Sequence, residues 1–112
     1  MNTVNIVDLV NQLKVKSERG ECQWQDVTNG HRLYLKSGSV GFSYSFDLMM
    51  NGYDYSIKLF DTTEQFAYYH VDLGEDYRED LYQSCEALRL AIENWKTSVI
   101  NGKIQSLFDE LL

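Results

Sequence analysis

The chain contains no proline, and no internal repeat, low-complexity stretch or linker that would divide its 112 residues. That length predicts a single domain spanning residues 1–112, large enough to bury a core without a metal or disulfide staple. There are only two cysteines, Cys22 and Cys85. Two such distant thiols make no disulfide framework and point to a reduced, cytoplasmic setting. No apolar run approaches the roughly 20 residues a membrane span needs. The N-terminus lacks the basic-then-apolar layout of a secretory signal. Histidine is limited to His31 and His70. No short-spaced Cys/His set and no Asp-x-Asp-x-Asp-Gly loop is present, so neither a zinc nor a calcium site is expected. P-loop, dinucleotide and catalytic-serine motifs are missing as well. The expectation is a protein that is not an enzyme and carries no cofactor. The one nucleophilic pair the residues allow is His70 with Cys85, but Cys85 falls in an apolar helical stripe, where a thiol acts as a small hydrophobe.

Positive charge is also scarce. Ten bases stand against 17 acids, a net charge of −7, and the imbalance is local. Residues 1–60 hold six acids and six bases, whereas residues 61–112 hold eleven acids and four bases. A chain this acidic is a poor direct ligand for nucleic acid or an anionic membrane, and a better one for a basic protein.

What is abundant is apolar and aromatic: 44% hydrophobic residues and 13% aromatics exclude a disordered chain. The clearest pattern runs from Val40 to Phe60. Val40, Phe42, Tyr44, Phe46 and Leu48 alternate with smaller or polar residues, the period of a half-buried strand. Asn51-Gly52 then predicts a two-residue type I′ turn. That loop pairs Met50 with Tyr53, Leu48 with Tyr55, Phe46 with Ile57 and Tyr44 with Leu59. The opposite face pairs Asp47 with Ser56 and Ser45 with Lys58, and is polar. Glu21 to Ser37 predicts an earlier hairpin turning at Asn29-Gly30, with Trp24 opposite Leu35 and Gln25 opposite Tyr34. Cys22, Trp24, Leu33 and Leu35 would face the core, with Asp26 discordant and His31 in the turn.

Helical periods flank these strands. Ile6, Leu9, Val10 and Leu13 form one face of a first helix, capped by Asn2, Thr3 or Asn5 and stopped at Gly20. Asp61-Thr62-Thr63-Glu64 resembles a capping box and predicts a short helical turn. Phe66 to Leu73 predicts a fifth strand, although adjacent Tyr68 and Tyr69 blur its alternation. Asp76 to Ile100 predicts the longest helix, with the stripe Leu81, Cys85, Leu88, Ile92, Trp95 and Val99. Beside it lies a small-residue flank, Ser84, Ala87, Ala91 and Ser98. Asn101-Gly102 should end that helix, and Ile104 to Leu112 should form a second one. The expected fold is therefore α+β: an N-terminal helix, an antiparallel β-meander of four to five strands, and two C-terminal helices packed on one sheet face.

The densest charge lies at Asp72, Glu75, Asp76, Glu79 and Asp80, and Glu86 and Glu93 extend it along one side of the long helix at intervals of seven. These seven acids are the candidate partner-binding residues. In size and charge, though in no motif, the chain resembles small phage-encoded inhibitors of bacterial defence nucleases, anti-CRISPR-like proteins. The resemblance implies an inhibitor or masking protein for a basic, nucleic-acid-handling protein partner. The alternative is a secretion chaperone or toxin-immunity protein that binds a cognate protein. Type III secretion chaperones are similarly small, acidic α+β proteins, and that likeness implies a homodimer.

Overall fold

A computed structural model describes residues 5–63 and 65–112. The elements run α1 (Ile6–Glu18), β1 (Gln25–Val27), β2 (Gly30–Leu35), β3 (Gly38–Asp47), β4 (Gly52–Phe60), β5 (Ala67–Asp72) and α2 (Glu79–Leu111). The α+β class holds, with all five strands antiparallel in the order β1-β2-β3-β4-β5. The chain forms two compact units, Met1–Cys22 with Gln83–Leu112, and Gln23–Tyr82.

In the first unit, the side chain of Asn5 accepts from the Asp8 N–H and caps α1. The other two proposed caps, Asn2 and Thr3, lie outside the described residues. Ile6, Val10, Leu13 and Ser17 form the buried face. At the other end Gly20, at φ 72°, donates to the Ser17 carbonyl, while Glu21 N–H reaches the Lys16 carbonyl. This paired closure satisfies carbonyls that the last helical turn would leave bare.

The two expected C-terminal helices are one. α2 runs unbroken for 33 residues from Glu79 and passes straight through Asn101-Gly102. One interior glycine costs a helix only about 1 kcal/mol, too little to break it without a proline or a competing cap. The helix also begins later than Asp76. Asp72 explains this: its carbonyl accepts the Glu75 and Asp76 N–H groups and its carboxylate accepts that of Gly74, closing a turn that holds residues 74–76 out of helix. Leu81, Ser84, Cys85, Leu88, Ala91 and Ile92 are buried along α2, whereas residues 97–112 are all exposed.

In the second unit one sheet face is buried, with Phe42, Tyr55 and Ile57 almost inaccessible and Leu33, Val40, Val71 and His31 around them. Phe42 and Tyr55 sit on neighbouring strands with parallel rings 5.7 Å apart. Each large side chain buried in this way contributes about 2–3 kcal/mol. The other face carries Ser43, Ser45, Asp54, Ser56 and Lys58. Across it the Arg32 guanidinium lies 3.7 Å from the centre of the Phe60 ring and its Nε donates to Ser39.

The predicted faces hold, but the predicted registers do not. Between β3 and β4 the pairs are Val40–Leu59, Phe42–Ile57, Tyr44–Tyr55, Phe46–Tyr53 and Asp47–Gly52. Leu48 to Asn51 therefore form a four-residue loop. The carboxylate of Asp47 accepts the Met49 N–H at 2.9 Å, and Asn51 closes the loop at φ 52°. On the polar face Ser43 pairs with Ser56 and Ser45 with Asp54. Between β1 and β2, Gln25 pairs with Arg32, Asp26 with His31 and Val27 with Gly30, so the loop is Thr28-Asn29. Trp24 is buried as expected, but Leu35 is exposed. Both register errors are even numbers of residues, which leaves the side chains that remain in the strands on their intended faces, while Leu48 and Met50 pass into the exposed loop.

Asp61 starts no helix. Its carboxylate accepts both the N–H and the hydroxyl of Thr63 in a local turn, and the fourth residue of the expected capping box, Glu64, lies outside the described residues. The fifth strand is present, and its blurred alternation has a cause. Leu59 pairs with Tyr69 but Phe60 pairs with Ala67, so the extra residue, Tyr68, is accommodated by a bulge.

Candidate partner-binding surface

The seven candidate acids are divided between the two units. Asp72, Glu75, Asp76, Glu79 and Asp80 belong to the sheet unit, and Glu86 and Glu93 to the helical unit. Glu86 and Glu93 both pair with Arg89, at 3.5 and 3.0 Å, so the two acids share one local cation. By contrast, among the described residues Glu75, Asp76 and Glu79 hold no ion pair, and all three are exposed. Asp72 and Asp80 accept the N–H groups of Gly74 and Leu81.

The sheet unit places two depressions side by side. One, of about 390 Å³, is polar and lined by Ser43, Ser45, Ser56, Asp54, Asp72 and Glu75. The other, of about 430 Å³, is walled by Met50, Tyr53, Leu73, Tyr77 and Tyr82. Asp54 and Gly74 line both, so carboxylates stand at the edge of an aromatic cleft. The cleft is built from three segments. The β3–β4 loop supplies Met50, β4 supplies Tyr53, and the chain entering α2 supplies Tyr77 and Tyr82. The Tyr82 hydroxyl donates to the Tyr53 carbonyl at 2.9 Å, which fixes that wall. Tyr77 packs against Tyr82 with ring centres 5.6 Å apart, yet remains 62% exposed. Beside Met50, Leu48 and Met49 are 85% and 97% exposed, an unusual position for adjacent large apolar residues.

Tyr77 and Tyr82 belong to the tyrosines that the strand pattern leaves uncommitted and that aromatic enrichment at protein interfaces suits. Asp54 and the apolar loop tip are additional to the residues expected from the sequence, although Asp54 is signalled by its place between Tyr53 and Tyr55, on the polar phase of β4. The apolar loop tip was hidden, because a two-residue turn at Asn51-Gly52 assigns Leu48 and Met50 to strand.

Of the one nucleophilic pair that the residues allow, the thiol is held in its protonated form. Cys85 is fully buried, and burial, reinforced by the Glu86 carboxylate, pushes its thiol up to about 12, so almost none is thiolate at neutral pH. His70 is exposed on β5 opposite Lys58. His31 lies in β2 rather than in a turn, buried between Asp26, 3.1 Å from Nδ1, and the Tyr44 hydroxyl, 2.7 Å from Nε2. The apparent discord of Asp26 in the core pattern is thus resolved by a cross-strand histidine. The largely exposed Asp26 carboxylate and the Tyr44 hydroxyl give both ring nitrogens of the buried His31 a hydrogen-bond partner. Among the described residues no group of three or more His, Cys, Asp or Glu side chains is arranged to hold a metal ion. Among the same residues no helix is long and apolar enough to cross a membrane.

No protein family, curated protein or solved structure matches this chain.

Proposed function

We propose that this protein is a cytoplasmic, non-enzymatic interaction protein that inhibits or masks a basic protein partner, as small phage-encoded anti-defence inhibitors do. The observation that supports this reading is the aromatic cleft bordered by Asp54 and adjoining the Asp72–Glu75 depression, with unpaired Glu75, Asp76 and Glu79 flanking Tyr77 in the chain. A lysine or arginine side chain has an apolar stem and a charged head. The stem suits the Met50–Leu73 wall, a guanidinium stacks on tyrosine faces, and the carboxylates receive the charge. The contacts assigned to the partner are therefore Asp72, Glu75, Asp76, Glu79 and Asp80, together with Asp54 and Tyr77. Glu86 and Glu93 act through Arg89 on the helix itself.

The test compares pull-downs from host lysate by the wild-type chain, a Glu75→Lys/Asp76→Lys/Glu79→Lys variant and Tyr77→Ala, at low and high salt. A basic nucleic-acid-handling protein should be retained by wild type at low salt, released at high salt, and lost from both variants. Its affinity should fall about ten-fold or more on charge reversal. A partner held equally by all three proteins would reject the reading. A cognate effector or toxin held through high salt would favour the chaperone or immunity alternative, for which the exposed apolar end of α2 is the supporting feature.

A further inference from the structure

The last turns of α2 carry a second apolar face unrelated to the first. The stripe Leu88, Ile92, Trp95 and Val99 advances by steps of four, three and four. Continuing it reaches Gly102 or Lys103 and then Ser106, all polar or bare. The apolar residues instead restart at Ile100 and proceed through Ile104, Leu107 and Leu111, again by four, three and four. Each member of the new seam lies twelve residues beyond a member of the old one, and at about 100° per residue the new seam points about a third of a turn away from the old one. Its members and the neighbouring Phe108 are between 44% and 83% exposed. Together they present about three fully exposed large side chains, on the order of 600 Å² of apolar surface per molecule.

We propose that this seam pairs with the same seam of a second copy, the two helices running antiparallel. Charge selects that occupant and that direction. With Ile104 and Leu107 as successive seam positions, antiparallel packing sets Ile104 against the other copy's Leu107, and Ile100 against its Leu111. The flanking positions then bring Lys103 of each chain beside Glu110 of the other, twice by symmetry, and Asn101 beside Phe108. Parallel packing sets Lys103 near Phe108 and so loses that pairing. Lys103 and Glu110 are both exposed and, among the described residues, hold no ion pair within their own chain. Two such faces cover on the order of 1,200 Å², the lower end of specific interfaces, and the pairing is therefore sought in the micromolar range. The helix is already formed by its continuity from Glu79, so pairing does not bear its nucleation cost. This inference is independent of the basic-partner reading, since it uses none of the acids of the sheet unit.

Sedimentation of the full chain under reducing conditions, from low to high micromolar concentration, tests it. The wild-type mass should rise from 13.1 kDa toward twice that value. Leu107→Asp should stay at 13.1 kDa throughout, with unchanged circular dichroism showing that the fold is intact. Lys103→Glu and Glu110→Lys, each of which sets like charges together at two places, should each weaken the dimer roughly five-fold to ten-fold. The combined swap should restore it to within about two-fold of wild type. A wild-type chain monomeric at every concentration overturns the proposal. So does a dimer indifferent to Leu107→Asp, or single reversals that the swap fails to rescue.

Discussion

The two Asn-Gly turns of the sheet use the same dipeptide differently. In both, the asparagine takes the left-handed conformation, Asn29 at φ 60° and Asn51 at φ 52°, and the glycine opens the following strand. In the β1–β2 turn the loop is two residues, and Gly30 is pressed against β3, where the Asn29 carbonyl accepts the Tyr44 N–H. A Cβ on Gly30 would stand 2.2 Å from the Phe42 carbonyl oxygen. In the β3–β4 turn the loop is four residues, braced by the Asp47 carboxylate, and a Cβ on Gly52 would meet nothing nearer than the Tyr82 hydroxyl at 3.3 Å. One glycine is demanded by a neighbouring backbone; the other is a matter of convenience. The dipeptide therefore announces a hairpin, while the neighbours decide where its loop begins.

The sharpest contrast is between Gly30→Ala and Gly52→Ala. The first must separate two backbones and should cost about 3 kcal/mol or more in urea unfolding, whereas the second should cost less than about 1 kcal/mol because a side-chain hydroxyl can give way. Equal costs would erase the distinction. Next, Asn29→Ala and Asn51→Ala should each lose about 1–2 kcal/mol, since alanine resists the left-handed conformation, while Asn→Gly at either position should change stability by only a few tenths. A loss at one turn alone would mean that the asparagines are not equivalent. Asp47→Ala should cost less than either asparagine-to-alanine change, about 0.5–1 kcal/mol, because the freed Met49 and Met50 N–H groups are exposed and can be hydrated. The same unfolding assay on Thr28→Ala in the shorter loop should show less.

Much of the fold was legible because period-two patterning reports the face of a residue regardless of its partner. Phe42, Tyr44, Tyr55 and Ile57 were assigned to the right side of the sheet in the wrong register, as an even slip leaves the pattern unchanged. Register depended on whether Leu48 and Met50 were strand or loop, and apolar side chains argue for strand. The Asp47 carboxylate, which stabilises the longer loop, is indistinguishable in sequence from any polar strand residue. On α2 the asparagine and glycine at 101–102 read as a stop, but helices tolerate a glycine whose neighbours favour helix. Of the candidate surface, the acids at 72–80 were visible as composition. Arg89 lies within helical reach of both Glu86 and Glu93, so their pairing with it was legible. The meeting of Asp54 with Tyr77 was not legible, because what brings them together is the Tyr82–Tyr53 hydrogen bond and the turn at Asp72, contacts made across the chain.

The strict β1-to-β5 order has a kinetic consequence. Every strand pairs only with its neighbours in sequence, across connections of two to six residues. Short closures cost little entropy, so the sheet can zip hairpin by hairpin from β3–β4 outward. Low sequence separation between contacts is the property that speeds two-state folding. With no proline in the chain, no prolyl isomerisation delays any step. Refolding of this sheet should therefore be complete well before the tens of seconds that such isomerisation takes, and its exposed strand edges should spend little time unpaired.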